Sequence, residues 1–175
     1  KIPRQTKAKL SHFPEITAKS ILVADLNTRR ILYQNNSSEV LAPASTTKLV
    51  TALVSLDLYS LDDALVVPSQ CLSVFGGNID PLPQENLLVI DLLNALLISS
   101  SNDAACILAN NVVSEDKFVQ LMNQKATKIG MRDTLFTNPI GFDSFDYSHK
   151  STAQDLYLLS LESRSNPLLK SIYSK

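Results

Sequence analysis

The pattern of apolar positions changes character at residue 45. Before it, Ser20-Ile21-Leu22-Val23-Ala24-Asp25-Leu26 and Arg30-Ile31-Leu32-Tyr33-Gln34 read as strands joined by a turn at Asn27-Thr28-Arg29. From Ser45 onward Leu49, Val50, Leu53 and Leu56 follow a 3.6-residue period, which predicts a helix with one apolar face. Ser45 falls at or just inside its N-terminus, where serine is favoured as a cap. Residues 62–83, with prolines and Gly76-Gly77, predict a long excursion of little regular structure. Two helices are then expected over 86–98 and 103–113, with Ser99-Ser100-Ser101-Asn102 as the joint between them. A third follows Ser114 and stops at Gly130. Residues 137–150 are turn-rich, with Asn138-Pro139 and Gly141, and a last helix over 152–162 precedes a break at Pro167.

Composition narrows the picture modestly. The chain has 175 residues, enough for one good core or a large piece of a bigger one. Sixteen basic and seventeen acidic residues leave a formal charge of −1, so nucleic acid and anionic membrane find no electrostatic footprint. The longest apolar run, Leu87 to Ile98, is interrupted by Asp91 and Asn94 and is well short of the roughly 20 residues of a membrane span. Cys71 and Cys106 can form one disulfide or none, and their spacing fits no metal motif. His12 and His149 lie far apart; they read as surface histidines, although a Ser-His-Asp triad assembles in space and spacing alone does not exclude it. Residues 1–14 are polar and basic, predict a loose lead-in, and contain no hydrophobic segment of signal-peptide type.

The candidate chemistry is a Ser-x-x-Lys pair. With 21 serines and 11 lysines, roughly one such match arises by accident, and two occur. Ser114-Glu115-Asp116-Lys117 is explained by capping, a serine followed by acidic residues in a first helical turn. In Ala44-Ser45-Thr46-Thr47-Lys48, three residues of helix bring hydroxyl and amine to one face. A serine hydroxyl is a poor nucleophile until a base takes its proton. A lysine serves as that base when burial or a neighbouring cation lowers its pKa.

The flanking residues decide between the two matches. Leu41-Ala42-Pro43-Ala44-Ser45-Thr46-Thr47-Lys48-Leu49-Val50-Thr51-Ala52-Leu53 resembles the active-site segment of the D-alanyl-D-alanine carboxypeptidases, the low-molecular-mass penicillin-binding proteins. Ser100-Ser101-Asn102 followed by Asp103-Ala104 resembles that family's second motif, and Ser151-Thr152-Ala153-Gln154-Asp155-Leu156 agrees in kind and order. The resemblance covers about residues 18–165. It implies an α/β fold of the β-lactamase/transpeptidase type, an antiparallel sheet with a helical subdomain: residues 18–44 give a hairpin of the sheet, 45–165 most of the helical part, and the chain holds the N-terminal portion of one catalytic domain.

The resemblance further implies that Ser45 forms an acyl-enzyme with Lys48 as general base. Ser100 would relay a proton to the leaving amine, and Asn102 would hold Lys48 and the substrate amide. The substrate would be a peptidoglycan stem peptide, with β-lactams as covalent inhibitors and no metal or organic cofactor required. Such stems lie outside the cytoplasm, so export with a removed leader is expected. One departure stands out: the family's third element, Lys-Thr-Gly or Lys-Ser-Gly, does not occur, and Lys170-Ser171-Ile172 lacks the glycine. The expectation is a longer polypeptide, or a complementary C-terminal chain, that supplies this strand. Two competing readings are a serine β-lactamase and a catalytically incomplete fragment that binds cell-wall peptide. Against the first, Glu162-Ser163-Arg164-Ser165-Asn166 does not fit the class A deacylation element.

Overall fold

Helix α1, Lys48–Leu58, is the centre about which the chain is organised in a computed structural model that describes residues 16–76, 79–142 and 148–175. The expected lead-in over 1–14 lies outside the described residues. Strands β1 (Ile21–Asp25) and β2 (Arg30–Asn35) form the expected antiparallel hairpin, with Leu22 opposite Gln34 and a register shift after Val23. The Asp25 carboxylate accepts from the backbone N–H groups of Asn27 and Thr28, which closes the turn. A second small sheet pairs β3 (Ala64–Val66) with β4 (Asn86–Leu88).

The helices follow as α2 (Val89–Ile98), α3 (Asn102–Ala109), α4 (Glu115–Ile129), α5 (Ala153–Ser165) and α6 (Pro167–Tyr173). Val50, Val54, Leu92, Leu93, Ile107, Leu108, Phe118 and Met122 are almost completely buried where α1 to α4 meet. Each such large apolar side chain contributes on the order of 1.5–3 kcal/mol by leaving water. Ser114 caps α4 by accepting from the Lys117 amide, and Gly130 ends it at φ 96°. The second Ser-x-x-Lys match is therefore the helix cap expected of it.

Several boundaries differ from those predicted. The first three residues of the 86–98 segment are strand β4, because they pair with a strand hidden in the excursion 62–83. That excursion also contains a 3₁₀ turn at Ser69–Ser73. Helix α3 stops at Ala109, where the side-chain amides of Asn110 and Asn111 donate to the carbonyls of Cys106 and Ile107. The break expected before Pro167 is present, since α5 ends at Ser165, but Pro167 also opens a helix that was not expected: it occupies the first turn of α6, and the Asn166 side chain accepts from the amides of Leu168 and Leu169.

Cys71 and Cys106 form a disulfide that ties the 3₁₀ turn to α3 across 35 residues. Replacing both cysteines by serine is expected to lower the unfolding free energy by about 3 kcal/mol, because the unfolded chain regains the freedom of the open loop. Urea unfolding of the full-length protein measures this; an unchanged midpoint would show that the tether contributes nothing.

The hairpin is only partly covered. Leu22 and Ala24 face Leu156, Tyr157 and Ser160 of α5 across an open cleft. The Tyr157 hydroxyl is buried without a hydrogen-bond partner among the described residues, while Val23, Leu26 and Leu32 are exposed.

Candidate active site

Ser45 lies in a 3₁₀ turn, Ala44–Thr47, that leads directly into α1. Lys48 is the first residue of the helix, so the two share one face as the spacing predicted. The expectation that Ser45 caps the helix does not hold. Thr47 is the N-cap residue, and neither the turn nor the helix has a side-chain cap bond. The tighter 3₁₀ winding moves the helix start forward and leaves the Ser45 hydroxyl with Lys48 instead of a backbone amide. The Lys48 ammonium donates to Ser45 Oγ over 3.2 Å and to the carbonyl of Ile140 over 2.9 Å. Ser45 is exposed, whereas Lys48 is only 2% exposed. Burial disfavours the charged amine and brings its pKa from 10.5 down to about 8. At neutral pH about one lysine in ten is then a free base, poised beside the hydroxyl.

Ile140 is held in place by a turn whose importance spacing did not reveal. The side-chain oxygen of Asn138 accepts from the amides of Ile140, Gly141 and Phe142, which folds residues 138–142 into a tight loop. Thr51, one turn into α1, donates to the carbonyl of Pro139 over 2.7 Å. Gly141, at φ 94°, lies against the Ala44 carbonyl so closely that a Cβ would be 2.6 Å from its carbon and 3.1 Å from the Ser45 nitrogen. Only glycine permits both the left-handed backbone and this approach. Asn138-Pro139 and Gly141 were visible as turn residues; their packing against the Ser45 turn was not.

The second motif lies at the joint between α2 and α3, both of which pack on α1. Ser100 is exposed and left-handed at φ 56°. Ala44, beside Ser45, is also left-handed at φ 47°. They are two of the six non-glycine residues at positive φ among the described residues, and each lies in or beside one candidate motif. Ser101 caps α3 by accepting from the Ala104 amide, and its hydroxyl donates to the Asp103 carboxylate.

Asn102 differs from its expected role in one respect. Its side-chain N–H donates to the Phe75 carbonyl over 2.7 Å, and Lys48 takes the Ile140 carbonyl, so no Asn102–Lys48 bond forms. The reason is the excursion, which passes over α3. It is held there by the disulfide and by Asp103, whose carboxylate accepts from the amides of Ile79 and Asp80.

His149 corrects the expectation of surface histidines, being 1% exposed; His12 lies outside the described residues. The chain around His149 is stitched on both sides: Ser151 pairs with Leu41, and Lys150 with Leu135. Its ring reaches Thr47 and Thr137. The amine beside Ser45 is that of Lys48.

An exposed hydroxyl beside a buried, partly neutral amine at a strained turn suits nucleophilic acyl transfer. Comparison with known proteins agrees. Residues 6–174 match the family described as D-alanyl-D-alanine carboxypeptidase. A D-alanyl-D-alanine endopeptidase of Pseudomonas aeruginosa is 37% identical over 166 residues, which are 93% of this chain and 53% of that protein. The crystal structure of a D-alanyl-D-alanine carboxypeptidase from Mycobacterium tuberculosis H37Rv superimposes with a TM-score of 0.88 at 32% identity, covering 93% of this chain and 61% of that one. Penicillin-binding protein D2 from Listeria monocytogenes, solved in an ampicillin-bound form, gives 0.81 at 30% identity, covering 94% and 68%. The chain spans about half the length of the curated relatives it matches. Its arrangement of sheet and helices is the α/β, β-lactamase-like one of these neighbours. Fold, motif order and matched length agree: the chain belongs to the D-alanyl-D-alanine carboxypeptidase family.

Proposed function

We propose that the full-length protein is a serine-type D-Ala-D-Ala carboxypeptidase acting on peptidoglycan stem peptides. The observation that carries this is the buried Lys48 amine 3.2 Å from the exposed Ser45 hydroxyl. In the forward reaction, neutral Lys48 takes the hydroxyl proton as Ser45 Oγ attacks the carbonyl between two D-alanines. The tetrahedral centre collapses, a proton passes through Ser100 to the leaving amine, and terminal D-alanine departs from an acyl-Ser45 ester. Water then hydrolyses the ester and restores the serine. Asn102 Nδ2 is engaged by Phe75, which leaves its side-chain oxygen to accept a substrate N–H.

A strained β-lactam amide enters by the same attack and remains as a long-lived ester. The matched family favours this reading over a β-lactamase. The partly covered hairpin and the Tyr157 hydroxyl, without a partner among the described residues, support a further C-terminal segment that completes the sheet and brings a Lys-Thr-Gly strand. The protein works outside the cytoplasm, where its substrate lies; the Cys71–Cys106 disulfide supports an oxidising compartment.

A fluorescent penicillin should label the full-length protein at Ser45, with no label in Ser45→Ala, and a D-Ala-D-Ala pentapeptide should release D-alanine. Labelling that survives in Ser45→Ala would overturn the assignment. Cleavage of cross-linked peptide without release of terminal D-alanine would make the protein an endopeptidase, and turnover of penicillin in milliseconds a β-lactamase.

A further inference from the structure

We propose that His149 is a positioning residue that fixes the distance between Ser45 and Lys48, an inference that rests on the acyl-transfer reading of this pair. Among the described residues, His149 hydrogen-bonds Thr47, Thr137 and Asn138 rather than either side chain of the pair. It is buried, and both ring nitrogens are used. Nδ1 lies 3.0 Å from the backbone N–H of Thr137, with the Thr137 hydroxyl at 3.3 Å and the Asn138 amide nitrogen at 3.5 Å. An amide N–H only donates, so Nδ1 accepts and carries the lone pair. The proton of the neutral ring is then on Nε2, which donates to the hydroxyl of Thr47 over 2.8 Å.

Thr47 is completely buried and sits between nucleophile and base, at the junction of the turn that holds Ser45 and the helix that starts with Lys48. Thr137 opens the segment that supplies the Ile140 carbonyl to Lys48 and the Gly141 backbone to Ala44. His149 therefore staples the Ser45 turn to the loop behind it. Thr51–Pro139, Lys48–Ile140 and Gly141–Ala44 join the same two segments directly. The imidazole is the one bridge among these contacts that comes from outside both segments. It sits on a stretch paired to Leu41 on one side and Leu135 on the other. Without the staple, Thr47 loses its anchor and the turn shifts. Displacement on the order of 1 Å is enough to cost about 100-fold in rate.

The test uses full-length protein and a fluorescent penicillin, with binding and acylation resolved by stopped flow. His149→Leu should acylate about 100-fold more slowly with the preceding binding constant unchanged. His149→Gln, which keeps an N–H donor near the Nε2 position, should recover to within about 5-fold of wild type. Thr47→Val removes the acceptor while leaving the ring, and should slow acylation about 10-fold; added to His149→Leu it should have no further effect. Should His149→Leu fail to fold, Thr47→Val and His149→Gln carry the comparison. Wild-type acylation in His149→Leu or Thr47→Val overturns the proposal, as does a His149→Gln variant as slow as leucine at equal folded fraction. Nitrogen NMR of the ring reads the tautomer without any activity, and a proton on Nδ1 would overturn it too. Absence of labelling in the wild type, with the Nε2–H tautomer observed, sinks the acyl-transfer reading and leaves the staple standing.

Discussion

Lys48→Met in the full-length protein should slow acylation of Ser45 by a labelled penicillin about 1,000-fold or more while leaving the protein folded. The side chains are of similar length, so packing changes little, but the base is gone and general-base help of this kind is worth roughly 10²–10⁴-fold. In the wild type the same chemistry gives a pH signature. Desolvation lowers the Lys48 pKa to about 8, so the acylation rate should rise with pH through a midpoint near 8 and then level off. The methionine variant should lack that limb. The stability effect runs with the following sign. An amine whose pKa is 10.5 when exposed and about 8 when folded binds fewer protons in the folded state between those values. Wild-type stability relative to Lys48→Met therefore rises with pH across that window, and the penalty of the buried charge is fully present below pH 8. A wild-type acylation rate flat from about pH 6.5 to 9 would remove Lys48 from the role of base.

Gly141→Ala should be the most damaging small substitution in the chain. The added methyl would overlap the Ala44 carbonyl oxygen and lie 3.1 Å from the Ser45 nitrogen, on a backbone at φ 94° that alanine resists. Backbone, unlike a side-chain tip, has nowhere to turn, so the Ala44–Ser45 peptide must move. We expect a loss of about 3 kcal/mol or more in unfolding free energy and about 100-fold in acylation rate. Gly130→Ala is the control: it meets Leu158 Cδ1 at 3.9 Å, so only the strain at φ 96° remains. That costs about 1 kcal/mol with acylation unaffected. Equal acylation rates for the two variants would show that the Gly141 contact does not set the nucleophile.

Much of this was legible from residues alone because it is written locally. The hairpin turn, the α4 cap at Ser114 and stop at Gly130, and the shared face of Ser45 and Lys48 each depend on neighbours within four residues. The break at Pro167 was legible, but the helix beyond it was not, because proline both follows helices and begins them, and the Asn166 cap decides that one begins here. What the residues hid was long-range. Nothing near His149 signals that its ring meets Thr47, and nothing near Asn102 signals that Phe75 occupies its amide. Nor does any local pattern show that the Tyr157 hydroxyl is buried without a partner among the described residues.

The clamp behind Ser45 also bears on the order in which the molecule is made. Its contacts join residues 88, 92 and 102 positions apart: Thr51 with Pro139, Lys48 with Ile140, Thr47 with His149. Contacts of such separation close late, after helices α1 to α4 have formed from nearer neighbours. On the proposed mechanism a nascent chain would carry Ser45 and Lys48 long before it carries their geometry, and reactivity would switch on only when residues 137–142 and His149 dock. Covalent labelling of Ser45 during refolding would therefore time the closing of these loops of 88 to 102 residues, a clock for long-range docking rather than for helix formation.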